Sequence, residues 1–151
     1  MNKAFVREPD DDGRRHCPRC ESLGVPVQSG PLDRHVRPEV RSRIGGAAWF
    51  CSYPPCAVAY FDGFLSQIAV DELLHPVYPK DPDATLCECF GFSQAEIDAD
   101  LDEGTPVRIR ALLQRSQSSE ARCASHAPDG RCCLTEIKRI YMKERERRNS
   151  G

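Results

Sequence analysis

This chain of 151 residues lacks a long apolar run, a strong charge imbalance and a leader-like start. Its apolar stretches are far too short to span a bilayer, so no membrane insertion is expected. Lysine and arginine number 21 against 23 aspartates and glutamates, giving a formal charge of −2. That balance lacks the basic footprint of a nucleic-acid binder. The opening MNKAFVREPDDDGRR carries an acidic cluster where a secretory signal needs an apolar core, so a cytoplasmic location is expected. No nucleophile–base constellation stands out. His75, near Asp71 and Glu72, reads as a helix-end residue, and no enzymatic activity is expected. There is no internal repeat.

What the chain has is cysteine, nine in all. Cytosolic thiols stay reduced, so a cysteine-rich chain without a leader points to metal rather than disulfides. An odd number also suits a paired framework poorly, whereas two sets of four leave one over.

The first set is Cys17, Cys20, Cys51 and Cys56. HCPRC is a C-x2-C pair and CSYPPC a C-x4-C pair. Two such pairs on tight turns can converge on one tetrahedral zinc ion, and four sulfurs leave no open position. The site is therefore expected to be structural. The alternatives are unliganded thiols or a C-x2-C redox pair, but a redox pair would want a strand-to-helix setting, which this charged approach does not offer. His16 reads as a surface neighbour and His35 as a polar residue ahead of a helix.

The second set is Cys87, Cys89, Cys123, and Cys132 or Cys133. LCECFGF places two thiols one residue apart, too close for an easy disulfide. Four thiolates suit a [2Fe–2S] cluster, held as two pairs. Both candidate ligand loops run into helices, whose N-termini favour negative charge. A second zinc site and metal-free buried thiols are the alternatives. His126, in ASHAPDG, reads as an exposed loop histidine near this set.

The local patterns give an α+β chain: a small zinc-ribbon-like β unit followed by a small helical unit. Residues 1–15 form a charged, frayed N-terminus, 16–80 a β-rich metal-binding domain, 81–143 a helical domain, and 144–151 a polar tail. AWFCSYPPCAVAYFDG reads as two strands around a cysteine-bearing turn, and RPEVRSRIGG as a short helix with Pro38 in its first turn. The Pro-rich stretch HPVYPKDPDA reads as an extended connector. Further on, SQAE at 93–96 is a capping box, Thr105-Pro106 opens a second helix as N-cap and first residue, and a third helix starts near Leu134. Leu134, Ile137, Ile140 and Tyr141 share one face of it. Neither half can bury a large core, and small domains commonly use metals as staples.

Several segments resemble a known family. CPRC, RPEVRSRIG, WFCSYPPCAVAYF, VYPKD, LCECFGFS and GRCCLTEI occur in the order seen in the N-terminal domain of CopZ-type copper chaperones. The segment from Cys87 onward also resembles the [2Fe–2S] domain of bacterioferritin-associated ferredoxins. The resemblance implies zinc on Cys17, Cys20, Cys51 and Cys56, and a [2Fe–2S] cluster on Cys87, Cys89, Cys123 and Cys133. Cys133 is preferred to the alternative Cys132 because CLTE repeats the family's cysteine–apolar–acidic order; Cys132 would be a leftover thiol able to exchange. The implied function is electron transfer in copper or heavy-metal handling, with a redox partner, copper chaperone or pump as partner. The family's second domain carries an M-x-C-x-x-C copper loop. Here neither Met1 nor Met142 precedes a C-x-x-C, so that copper site is absent. The competing readings are a two-zinc interaction or nucleic-acid module using Arg34, Arg37, Arg41 and Arg43, and a metal-transfer protein using Cys132 as entry thiol.

Overall fold

A computed structural model describes residues 14–118 and 123–150. The expected frayed N-terminus lies outside the described residues except at Arg14 and Arg15. The fold is α+β, as the sequence leads one to expect, with an antiparallel sheet first and helices after it.

The sheet is a four-stranded meander in the order β1 (Val25–Val27), β2 (Ala48–Phe50), β3 (Val58–Phe61), β4 (Gln67–Ala69). Val25 faces Phe50, Phe50 faces Tyr60, and Tyr60 faces Ile68. Every residue of β3 is buried, because the strand is covered on both sides. Ala59 and Tyr60 belong to the main core with Leu32, Val36, Phe50 and Ile68. Val58 and Phe61 pack instead with Cys17, Cys51 and Cys56. A register irregularity between Val58 and Tyr60 lets the strand serve both.

The expected pair of strands around the Cys51–Cys56 turn is present as β2 and β3. β4 is an addition to that expectation. Asp62 accepts from the N–H groups of Phe64 and Ser66 through one carboxylate oxygen, turning the chain back after β3. Two short helices, α1 (Ser29–His35) and α2 (Pro38–Arg41), join β1 to β2. α2 starts on Pro38 as expected; α1 has no counterpart in the sequence reading.

After a 3₁₀ turn at Val70–Glu72 come α3 (Gln94–Glu103), α4 (Val107–Arg115), α5 (Cys123–His126) and α6 (Leu134–Ser150). Their core is Leu86, Phe92, Ile97, Ile109, Leu112, Ile137 and Tyr141, joined by Cys87. α3 begins at its expected cap: Ser93 donates both its N–H and its hydroxyl to Glu96, at 2.8 and 2.5 Å.

α4 departs from expectation. Thr105 does not cap it. The fully buried Asp100 does, accepting from Arg108 N and Ile109 N at 3.0 Å each. A carboxylate held from the neighbouring helix takes the donors that a local threonine would have taken. The tail expected after 143 also differs, because α6 runs on through it. Arg148 pairs with Asp98 and Asp102 of α3, so charges rather than apolar contacts hold the last turns.

The two halves share a buried and a partly buried polar contact. Tyr60 donates its hydroxyl to the Pro128 carbonyl at 2.5 Å, and Tyr78 donates to Glu136 at 2.7 Å. The stretch expected as an extended connector is folded into place, with Val77 buried in the sheet-side core.

Candidate metal centres

Cys17 and Cys20 sit on a tight turn ahead of β1. Glu21 N donates to the Cys17 carbonyl at 2.8 Å, and Glu21 takes a left-handed φ of 66°. Arg19 N reaches back to Cys17 Sγ at 3.4 Å. The second turn repeats the device, with Val58 N donating to Cys56 Sγ at 3.5 Å. In each loop a backbone N–H two residues on points at the sulfur, a donor that stabilises a thiolate.

The two turns face each other. Cys17 Sγ lies 3.8 Å from Cys56 Sγ, and Cys20 Sγ lies 3.5 Å from Cys51 Sγ. All four sulfurs lie within 4.8 Å of one another. A tetrahedron with bonds of about 2.3 Å has edges of about 3.8 Å, so the donor set fits a zinc ion. Burial pushes the Cys51 thiol up to about 12, and burial raises Cys56 as well. Burial also raises Cys20, but hydrogen bonds from Ser22, Cys51 and Cys17 outweigh it and bring that thiol down to about 6. Four thiols this close cannot all ionise without a cation among them.

Lys80, part of the VYPKD segment but given no role by the sequence, closes this centre. Its ammonium donates to Cys51 Sγ at 3.4 Å, to the Tyr53 carbonyl at 2.7 Å and to the Cys56 carbonyl at 3.1 Å. His16 is exposed and bridges to Leu23, away from the sulfurs.

At the second set, the loop 87–92 closes on itself. Gly91 N donates to the Cys87 carbonyl at 2.8 Å, Cys87 N donates to Phe92 O at 2.9 Å, and Gly91 adopts a left-handed φ of 69°. Cys87 is buried, and its thiol is brought down to about 6. The first cause is a hydrogen bond with Cys133; burial opposes it, and the Phe90 and Cys89 backbones and the Cys89 thiol add to the lowering. Cys87, Cys89 and Cys133 share one core cluster, whereas Cys132 is exposed. The Cys133 carbonyl accepts from Ile137 N at 2.9 Å, which puts Cys133 at the start of α6. Cys123 opens α5, and its side chain lies outside the described residues. Three thiols in one core cluster, one of them at a helix start, fit a thiolate-bound cluster in donor chemistry. The contribution of α3 is smaller than its sequence suggests, because the Glu96 carboxylate already occupies its N-terminus.

Two histidines carry more than their sequence positions suggest. His35, expected as a polar residue ahead of a helix, is the fully buried last residue of α1 and donates Nε2–H to the His126 carbonyl at 2.6 Å. Burial drives it down to about 4, so it stands neutral at pH 7. His75 lies beside it, with ring centroids 5.1 Å apart. Glu88, between Cys87 and Cys89, is partly buried, and burial raises its carboxyl. No spacing rule in the sequence brings these three together.

The comparisons bear on the N-terminal half and on the fold. Residues 14–74 match the zf_CopZ family model, described as a zinc binding domain. The X-ray structure of the Archaeoglobus fulgidus CopZ N-terminal domain superposes with a TM-score of 0.68 at 23% identity, covering 83% of this chain and 97% of that one. At that identity the likeness shows the fold. No curated protein matches the chain. Residues 14–74 are thus similar to a CopZ-type zinc binding domain, and most of the chain shares the fold of the CopZ N-terminal domain. No described helix is long and apolar enough to cross a membrane.

Proposed function

We propose that this chain is a zinc-stapled electron-transfer protein that works in copper or heavy-metal handling. Cys17, Cys20, Cys51 and Cys56 would hold the zinc, which fixes the sheet-side half in shape. Cys87, Cys89, Cys123 and Cys133 would hold a [2Fe–2S] cluster, which when bound takes up and gives back one electron. The observation that carries the reading is the gathering of Cys87, Cys89 and Cys133 in one core cluster, with Cys133 at the start of α6 and Cys132 exposed. The sheet-side half would end near residue 80 and the helical half begin near 81.

The chain's own residues have definite tasks in this reading. The 87–92 loop aims the Phe90 and Cys89 N–H groups at Cys87 Sγ, where they offset thiolate charge. The start of α6 brings a helix dipole to Cys133. The exposed Cys132 and a cleft of about 310 Å³ lined by Tyr78, Cys132, Cys133 and Glu136 open this centre to solvent and to a docking redox partner, copper chaperone or pump. One electron delivered there would convert one Cu(II) to Cu(I). The two-zinc nucleic-acid alternative has weaker support, because Arg41 pairs with Asp33, Arg43 pairs with Glu72, and Arg37 donates to the Leu73 carbonyl.

Iron, acid-labile sulfide and zinc analysis of anaerobically purified protein tests the reading. About two irons, two sulfides and one zinc per chain are expected. Zinc at two equivalents with no iron would replace it with the two-zinc module.

A further inference from the structure

Away from the thiolates, three side chains from separate segments converge. His35 ends α1, His75 follows the 3₁₀ turn, and Glu88 lies in the cysteine loop; one ligand atom from each lies within 4.8 Å of the other two. His35 Nδ1 and Glu88 Oε2 are buried without any hydrogen-bond partner. Buried acceptors left unpaired are rare and cost about 1–3 kcal/mol each. Two of them facing one gap ask for a cation or a donor between them.

The tautomers agree with a cation. His35 gives its Nε2–H to the His126 carbonyl, and His75 gives its Nδ1–H to the Pro76 carbonyl at 3.0 Å. A carbonyl can only accept, so in the neutral tautomer, the form that binds a metal, His35 Nδ1 and His75 Nε2 are the nitrogens that carry the lone pairs. Metal-ligating histidines are oriented in this way, with the second ring nitrogen anchored to an acceptor.

We propose that His35 Nδ1, His75 Nε2 and the Glu88 carboxylate form a further metal site, taking a divalent first-row transition ion. Two imidazoles and a carboxylate suit Zn²⁺, Cu²⁺, Ni²⁺, Co²⁺ or Fe²⁺; without sulfur the set does not favour Cu⁺, and with two nitrogens it does not favour Ca²⁺ or Mg²⁺. Three protein ligands leave at least one position open. The exposed His75 provides the way in for the ion, and the buried His35 provides the floor. The site does not depend on which metal the cysteines hold, although Glu88 sets it beside Cys87 and Cys89.

The test uses the full chain with its cysteine sites loaded and their metal content measured first, and Co²⁺ as the probe. The expected result is one further equivalent of Co²⁺ with d–d absorption and no sulfur-to-cobalt charge-transfer band. His75→Ala and Glu88→Gln should each weaken that uptake by about tenfold or more, with the cysteine-site metals unchanged. His75 is exposed, so its removal leaves the core intact even where His35→Ala does not fold. No cobalt uptake beyond the cysteine sites, uptake accompanied by the sulfur band, or equal uptake in both variants overturns the site. Each of these results is distinct from a loss of iron or zinc, which bears on the proposed function instead.

Discussion

The Lys80 ammonium lies 3.4 Å from Cys51 Sγ and at the same time clips the carbonyls of Tyr53 and Cys56. A zinc ion on four thiolates carries a net charge of −2, and this lysine sets a positive charge against one of the sulfurs to offset it. Lys80 also ties the segment after the sheet to the Cys51–Cys56 turn. Removing it should therefore loosen the metal without unfolding the chain. Lys80→Met is expected to lose zinc to a competing chelator about tenfold more readily, while Lys80→Arg retains most of the affinity. Equal chelator resistance in the wild type and in Lys80→Met would contradict this role.

Gly24 is fixed by its neighbours. A Cβ there would lie 2.6 Å from the Phe61 ring and 2.7 Å from Trp49 Cβ, in the stack those aromatics form at 6.1 Å. Trp49 Cβ is fixed to the backbone of β2 and cannot withdraw without moving the strand. Gly24→Ala should cost about 1–3 kcal/mol of stability by overpacking, read as a lower thermal midpoint of the zinc-loaded protein. The solvent-facing Gly46, with open space around it, should accept alanine at little cost.

Asp100 is the true cap of α4. Its carboxylate is buried, takes two backbone N–H groups and is met by Arg108 Nη1 at 3.2 Å. Asp100→Ala should cost about 3 kcal/mol or more, because two N–H groups and a guanidinium lose their partner together. Thr105→Ala should stay within about 0.5 kcal/mol, as expected of a side chain outside the cap. Chemical denaturation of the two variants separates these assignments.

Glu96 gives a pH dependence with a defined sign. The hydrogen bond from the Ser93 hydroxyl holds its carboxyl below the ordinary 4.5, against the opposing effect of burial. A carboxyl lowered in the folded state stabilises above its unfolded value, and the contribution is lost as pH falls through the lower folded value. Glu96→Gln should therefore melt below the wild type near neutral pH, with the gap closing as pH falls below the ordinary 4.5 and through the lower folded value. A gap of constant size across that range would contradict the capping role.

The sequence shows some of this architecture plainly and hides the rest for physical reasons. The Cys17/Cys20 and Cys51/Cys56 spacings, the SQAE box and the Pro38 helix start are local patterns, and each appears where its residues lead one to expect. The Asp100 cap, the Lys80 clip and the meeting of His35, His75 and Glu88 are long-range. They join residues that only tertiary packing brings together, so no local rule could raise them above Thr105 or a surface histidine. α1 was missed because SGPLDRH is short and holds both Gly30 and Pro31; packing of Leu32 and His35 into the core outweighs that poor propensity. The helical tail beyond residue 143 looks polar because ion pairs to Asp98 and Asp102, not buried apolar side chains, hold it.

The central claim is a [2Fe–2S] cluster that uses Cys133 and not its exposed neighbour Cys132. Low-temperature EPR of the dithionite-reduced protein tests it most directly, run on the wild type, Cys132→Ser and Cys133→Ser. The account predicts a rhombic one-electron signal in the wild type and Cys132→Ser, and its loss or marked change in Cys133→Ser. An EPR-silent wild type, or a signal lost with Cys132 and retained without Cys133, would contradict it.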